Sequence, residues 1–149
     1  MQYELSEQQL MQMAQQEESE LANRRGLLEK MLEVMKETTL AIDAMNEIQE
    51  GADKVLVRLG SGIFVEAQIL NKEKCKRSFA EDGYVEEKMA DSSKWLEERL
   101  GGLERQAGKQ REEMIKSEAR LNEILGILKQ IQSEKRKMAI EQRKNISAK

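Results

Sequence analysis

The side chains that most often carry chemistry in proteins are nearly missing from these 149 residues. There is no histidine and one cysteine, Cys75. Without imidazole, and with a single thiol, the usual general bases, nucleophile–base pairs and transition-metal ligand sets cannot be assembled. Carboxylates sit side by side at Glu86-Glu87 and Glu112-Glu113, but such pairs are ordinarily solvated strand or helix surface. Gly60-Ser61-Gly62 has the glycine content of a phosphate loop. It lacks the following Gly-Lys-Ser/Thr and the helix start, so it reads as a turn. Cys75 falls on a predicted edge strand as a packed or half-exposed thiol with no redox role. The expectation is a protein that is not an enzyme and needs no cofactor or metal.

What remains is the chemistry of surfaces. Flexible thioethers suit surfaces that adapt to many partners, and Met11, Met13 and Met138 fall near the expected free end of the molecule with Leu10 and Ile140. Met31, Met35, Met45 and Met114 read instead as ordinary packing. Residues 1–20 hold five acids (Glu4, Glu7, Glu17, Glu18, Glu20) and no base. Residues 135–149 hold six bases (Lys135, Arg136, Lys137, Arg143, Lys144, Lys149) against Glu141. The ends are complementary, so Lys135 to Lys137 read as a solvated face balancing an acidic neighbour helix. A net charge of −3 argues against a dedicated nucleic-acid partner. No apolar run approaches the roughly 18 residues of a membrane span, and one cysteine fits a reducing, cytoplasmic setting.

The elements that must position these residues are long helices. The chain is 36% charged, 3% aromatic and free of proline, and proline costs about 3 kcal/mol inside a helix. Ser6 with Gln9 forms a capping box for a first helix over about 7–50, with Leu5 and Leu10 placed as a staple. A heptad register follows. One seam runs Ala14, Leu21, Leu28, Met35, Ile42; the other runs Leu10, Glu17, Arg24, Met31, Thr38, Met45. With Glu17 and Arg24 in it, this seam is expected to close poorly toward the free end. A second helix over about 91–147, starting near Asp91, Ser92 and Ser93, carries Leu96, Leu103, Gln110, Ser117, Ile124, Ile131, Met138 and a companion seam from Leu100 to Leu128. Gly101-Gly102 suggests a bend, and the polar stretch 106–111 suggests loose packing.

Between the helices, over about 54–89, the period drops to two. Val55, Val57 and Leu59 share one face. After the glycine turn, Ile63, Val65, Ala67 and Ile69 alternate with Phe64, Glu66 and Gln68. A weaker second hairpin joins Lys74–Phe79 to Tyr84–Met89 through Asp82-Gly83. Two small hairpins cannot bury both faces alone. The simplest arrangement is mainly α: an antiparallel two-helix coiled coil, one unit over 1–149, whose central hairpins need other chains.

The stretch Lys54 to Ile69 (KVLVRLGSGIFVEAQI), continued by Asp82 to Glu104 (DGYVEEKMADSSKWLEERLGGLE), resembles the alpha-type subunits of prefoldin, a cytosolic co-chaperone family of archaea and eukaryotes. The likeness covers the whole length. Arg58 stands where that family often has proline, and the third strand is more polar than the usual aliphatic run. The resemblance implies a heterohexamer of two alpha and four beta-type subunits whose hairpins form an oligomeric β-barrel. Val55, Val57, Ile63, Phe64, Val65, Ile69, Tyr84 and Val85 would lie in that assembly region. It implies ATP-independent capture of unfolded proteins at the coiled-coil tips, by Leu10, Met11, Met13, Met138 and Ile140, and delivery to a group II chaperonin. The alternative on the same fold is a homo-oligomeric coiled-coil scaffold or filament protein.

Overall fold

The computed structural model describes residues 5–148. Glu4 and Lys149, counted above among the end charges, lie outside the described residues. The element order is α1 (Glu7–Gln49), β1 (Lys54–Gly60), β2 (Ile63–Gln68), β3 (Lys74–Ala80), β4 (Gly83–Lys88) and α2 (Met89–Ser147). The chain thus has two long helices around two antiparallel hairpins, β1 with β2 and β3 with β4. It divides into two compact units, residues 5–29 with 108–148, and residues 30–107.

The first unit is a two-helix antiparallel coil. Its start is the expected capping box: the Ser6 N–H donates to Gln9 Oε1 at 2.8 Å and the Gln9 N–H to Ser6 Oγ at 3.2 Å. Leu10 and Ala14 of α1 form a buried cluster with Ile124 and Leu128 of α2, and Leu121 and Ile131 pack against it. The seam does not gape at its polar positions, contrary to the expectation from Glu17 and Arg24. Ser117 is fully buried and its hydroxyl donates to the Glu17 carboxylate, which also accepts from Arg120 Nε at 2.9 Å. Arg24 donates to Gln110 Oε1 at 3.1 Å. A buried polar group is tolerated when its partner is present, so these pairs close the seam as polar layers. The Ser117 hydroxyl, and then Arg120, hold the Glu17 carboxyl below the usual carboxylate range against the opposing effect of partial burial.

In the second unit both hairpins follow one plan at an offset of 20 residues. Lys54 pairs with Gln68 and Lys74 with Lys88; Gly60 pairs with Ile63 and Ala80 with Gly83. The ladders shift register at Leu59 and Phe79. The hairpin bases close alike, through Ile69 N–H to the Asp53 carbonyl at 2.8 Å and Met89 N–H to the Glu73 carbonyl at 2.7 Å. The turns differ. Ser61 (φ 48°) and Gly62 (φ 78°) are both left-handed, as a type I′ hairpin turn requires. The second turn is made by Glu81-Asp82, one residue earlier than expected. Gly83 opens β4 instead, where a Cβ would meet the Phe79 ring at 2.7 Å.

β4 runs into α2 with no loop, so α2 starts at Met89, two residues before the position that the N-cap residue types suggest. Ser92 and Ser93 are buried in its first turn. The helix continues unbroken through Gly101-Gly102. Ala107 is fully buried, so the expected loosening there is absent at that residue.

Candidate functional site

Two apolar surfaces are left open, one in each unit. The first is the end of the coil. Met11 and Met13 flank the seam and are about half exposed, and Leu5 and Ile127 are exposed as well. Leu5, Leu10, Met13, Ile124 and Ile127 line one groove of about 280 Å³, rimmed by Glu17, Arg120 and Glu123. Leu10 is its floor rather than an offered side chain. At 5% exposure it belongs to the seam, which corrects its expected place among the free tip residues.

The register also corrects the expected meeting of Leu10 to Met13 with Met138 and Ile140. Lys135 pairs with Glu7 at the first turn of α1, and Leu10 packs against Ile124 and Leu128. α2 therefore runs past the first turn of α1. The heptad continues in the sequence through Met138, but the seam stops at Ile131, and every residue from 132 to 148 is exposed. Met138 is 62% exposed and Ile140 54%.

The second surface is the first hairpin. Partner residues across an antiparallel ladder share a face. Val55 with Ala67 and Val57 with Val65 make one face; Leu56 with Glu66 and Arg58 with Phe64 make the other. Val55, Ala67 and Ile69 are half-buried near the hairpin base. Leu56, Val57, Leu59, Ile63, Phe64 and Val65 are all exposed, Leu56 to 70%. Both strands of this two-stranded sheet also keep an unpaired edge.

The second hairpin is different where it counts. At the positions matching Val55, Val57 and Ala67 stand Cys75, Arg77 and Glu87. Arg77 Nε and Nη2 donate to Glu87 Oε1 at 2.8 and 2.5 Å. Ser92 of α2 donates to Glu87 Oε2 at 2.6 Å, and the Cys75 thiol donates to Ser92 at 3.2 Å. The Arg77 guanidinium lies 4.5 Å from the centre of the Trp95 ring, with Arg99 at 5.5 Å. Arg77, and then Ser92, hold the Glu87 carboxyl below the usual range, while Glu87 raises the Arg77 guanidinium. This polar network docks the third and fourth strands onto the start of α2. Sequence reasoning missed it. The available signal was an Arg and a Glu in facing strands with Trp95 one helical turn beyond Ser92. Tyr84 and Val85, expected at the assembly surface, are exposed on β4.

Among the described residues no group of three or more Cys, Asp or Glu side chains could hold a metal ion. No helix is long and apolar enough to cross a membrane.

Comparison with known proteins agrees with this architecture. The family model described as prefoldin subunit matches residues 13–134. The chain belongs to the prefoldin family. Its likeness is to the alpha-type subunits: it is 31% identical over 106 residues to prefoldin subunit alpha of Methanoregula boonei, covering 70% of this chain and 69% of that protein. The fold is that of a filamentous PFD from Methanocaldococcus jannaschii, seen by cryo-electron microscopy. The two align with a TM-score of 0.62 at 13% identity, over 77% of this chain and 97% of that one. Prefoldin is a family of chaperone subunits and not an enzyme family. Membership implies assembly with other prefoldin subunits.

Proposed function

We propose that this chain is a subunit of an ATP-independent, hetero-oligomeric co-chaperone of the cytoplasm, one that holds unfolded or nascent protein at the end of its coil. Beta-type subunits, four to two alpha chains, would complete the assembly by adding to the hairpins. A group II chaperonin would receive the client. The observation that carries client capture is the exposed set Met11, Met13, Met138 and Ile140 at a coil end whose seam is otherwise filled. Fully burying one such side chain against a client contributes about 1.5–3 kcal/mol. One chain therefore binds weakly, and several chains acting on one client gain through effective concentration.

The test replaces these four residues with Ser and leaves Leu10 in the seam. The variant should keep its helicity and its complex size with partner subunits. Its suppression of aggregation of a denatured client should fall severalfold, and wild-type activity should be the same with and without ATP. Undiminished protection by a correctly assembled variant would move client binding elsewhere.

A second reading is a scaffold or filament protein on the same fold. The likeness to a filamentous PFD gives it a reason to be checked, although at 13% identity that likeness shows the fold alone. An open polymer of this chain by itself, in place of a closed complex of defined mass, would favour it.

A further inference from the structure

The end of α2 is not neutralised by α1. Of the basic cluster at 135–137, Lys135 alone is in an ion pair among the described residues, with Glu7. Among the described residues Arg136, Lys137, Arg143 and Lys144 have none, and one acid, Glu141, lies among residues 136–148. Among the described residues the expected balance with the acidic N-terminal helix thus reaches no further than Lys135. The apolar residues here are also exposed, Ile146 to 77%. Arg136, Ala139, Ile140 and Arg143 line one shallow groove of about 230 Å³. Their spacing of three, four and seven puts them on one helix face. Two guanidiniums about 10 Å apart thereby bracket an exposed isoleucine. The match to the prefoldin family ends at residue 134, so this face is a feature of the present chain outside that match.

We infer that residues 136–146 form a cationic–apolar docking face selecting extended protein segments in which carboxylates bracket apolar side chains. This rests on the coil-end capture proposed above and narrows its client class. Carboxylates three residues apart in a polyproline II-like extended chain lie on one face about 9 Å apart, close to the arginine spacing. Arginine favours such carboxylates through its fork of donors, while Ile140 supplies the apolar contact. Anionic membrane is the weaker fit. The face has no aromatic residue, and Ser147 stands one turn beyond Arg143 where its apolar stripe would continue, unlike a helix that lies in a bilayer interface.

The test uses the purified full-length chain and labelled unstructured peptides repeating Glu-Ile-Ser, Lys-Ile-Ser or Glu-Ser-Ser, read by fluorescence anisotropy. The Glu-Ile-Ser peptide should bind about tenfold more tightly than the other two at low salt, as several weak ion pairs add to one apolar contact. Its advantage over the Lys-Ile-Ser peptide should shrink at 0.5 M salt. Arg136→Glu with Arg143→Glu should reverse the preference between the two isoleucine peptides, and Ile140→Ser should weaken both. Equal binding of both isoleucine peptides that is still lost in Ile140→Ser would overturn the acidic preference and leave coil-end capture standing. Binding of both that is indifferent to all three substitutions, and to the fourfold Ser variant above, would overturn the capture reading as well. Equal binding of the Glu-Ser-Ser peptide, or tighter binding to vesicles of anionic phospholipid than to any peptide, would refute the selection of acidic–apolar protein segments.

Discussion

At the residue scale, Glu87 explains why an edge hairpin can afford an arginine on its inner face. Its two carboxylate oxygens are used separately, Oε1 by Arg77 and Oε2 by Ser92. The Arg77 guanidinium then rests on Trp95, where the ring face attracts a cation. Removing one partner of a partly buried charged pair leaves the other unmatched, which hurts more than the intact pair helps. Glu87→Gln should therefore lower the thermal midpoint at pH 7 and loosen the third and fourth strands in hydrogen exchange. The sign of the pH dependence follows from the lowered carboxyl pKa. The stabilisation is complete above the unfolded carboxylate range, near pH 4.3, and is lost as pH falls through the lower folded value. Melting curves of wild type and Glu87→Gln should be furthest apart at neutral pH and should converge in acid. A gap that stays constant down to pH 3 would show that the Glu87 charge does not hold this hairpin.

At the scale of elements, the helices were the most legible part of the sequence. Every heptad position assigned from Leu10 to Met45 and from Leu96 to Ile131 is turned away from solvent to some degree, because a repeat near 3.5 leaves one stripe for a partner helix. The hairpins were legible for the same kind of reason, from a period of two and a glycine turn. Besides the Arg77–Glu87 network and the exact second turn, three features of the helices escaped, each decided by tertiary partners that periodicity cannot show. Met138 keeps the heptad phase, yet α2 has by then passed the first turn of α1. Glu17 and Arg24 looked like breaks in the seam until Ser117, Arg120 and Gln110 came opposite them. The start of α2 lay earlier than its N-cap types suggested, because β4 leads into it directly and Glu73 takes the Met89 N–H. Glycines inside α2 give a further prediction. A Cβ at Gly126 would meet nothing within 4 Å, and alanine exceeds glycine in a helix interior by about 1 kcal/mol. Gly126→Ala should raise stability by about that amount in thermal or denaturant melts, without changing the size of the complex. A destabilised variant would mean that this helical turn needs glycine for packing by a partner or client.

At the scale of the whole molecule, the two hairpins are unequally free to meet another chain. They share one plan at a 20-residue offset, but the second is tied to its own helix through Glu87 and Ser92. The first exposes Val57 and Val65 on one face and Leu56 and Phe64 on the other. A two-stranded hairpin with both faces apolar and both edges unpaired is marginal in water and invites another chain. The first hairpin is therefore the better candidate to carry the assembly that prefoldin membership implies, with a barrel built from several chains as the proposed outcome. Val65→Asp separates this from assembly through the coil. In the free protomer Val65 is 41% exposed, so an aspartate there should be tolerated and far-UV helicity largely kept. Once a neighbour covers that face, the same aspartate becomes an unpaired buried charge costing several kcal/mol. Light scattering of the variant mixed with its partner subunits should show a fall from the closed complex to free chains. Glu66→Gln, on the opposite face of the same strand, should assemble as the wild type does. If Val65→Asp reaches the full complex mass, assembly runs through the other face or the second hairpin, and Phe64→Asp with Tyr84→Asp would then identify which.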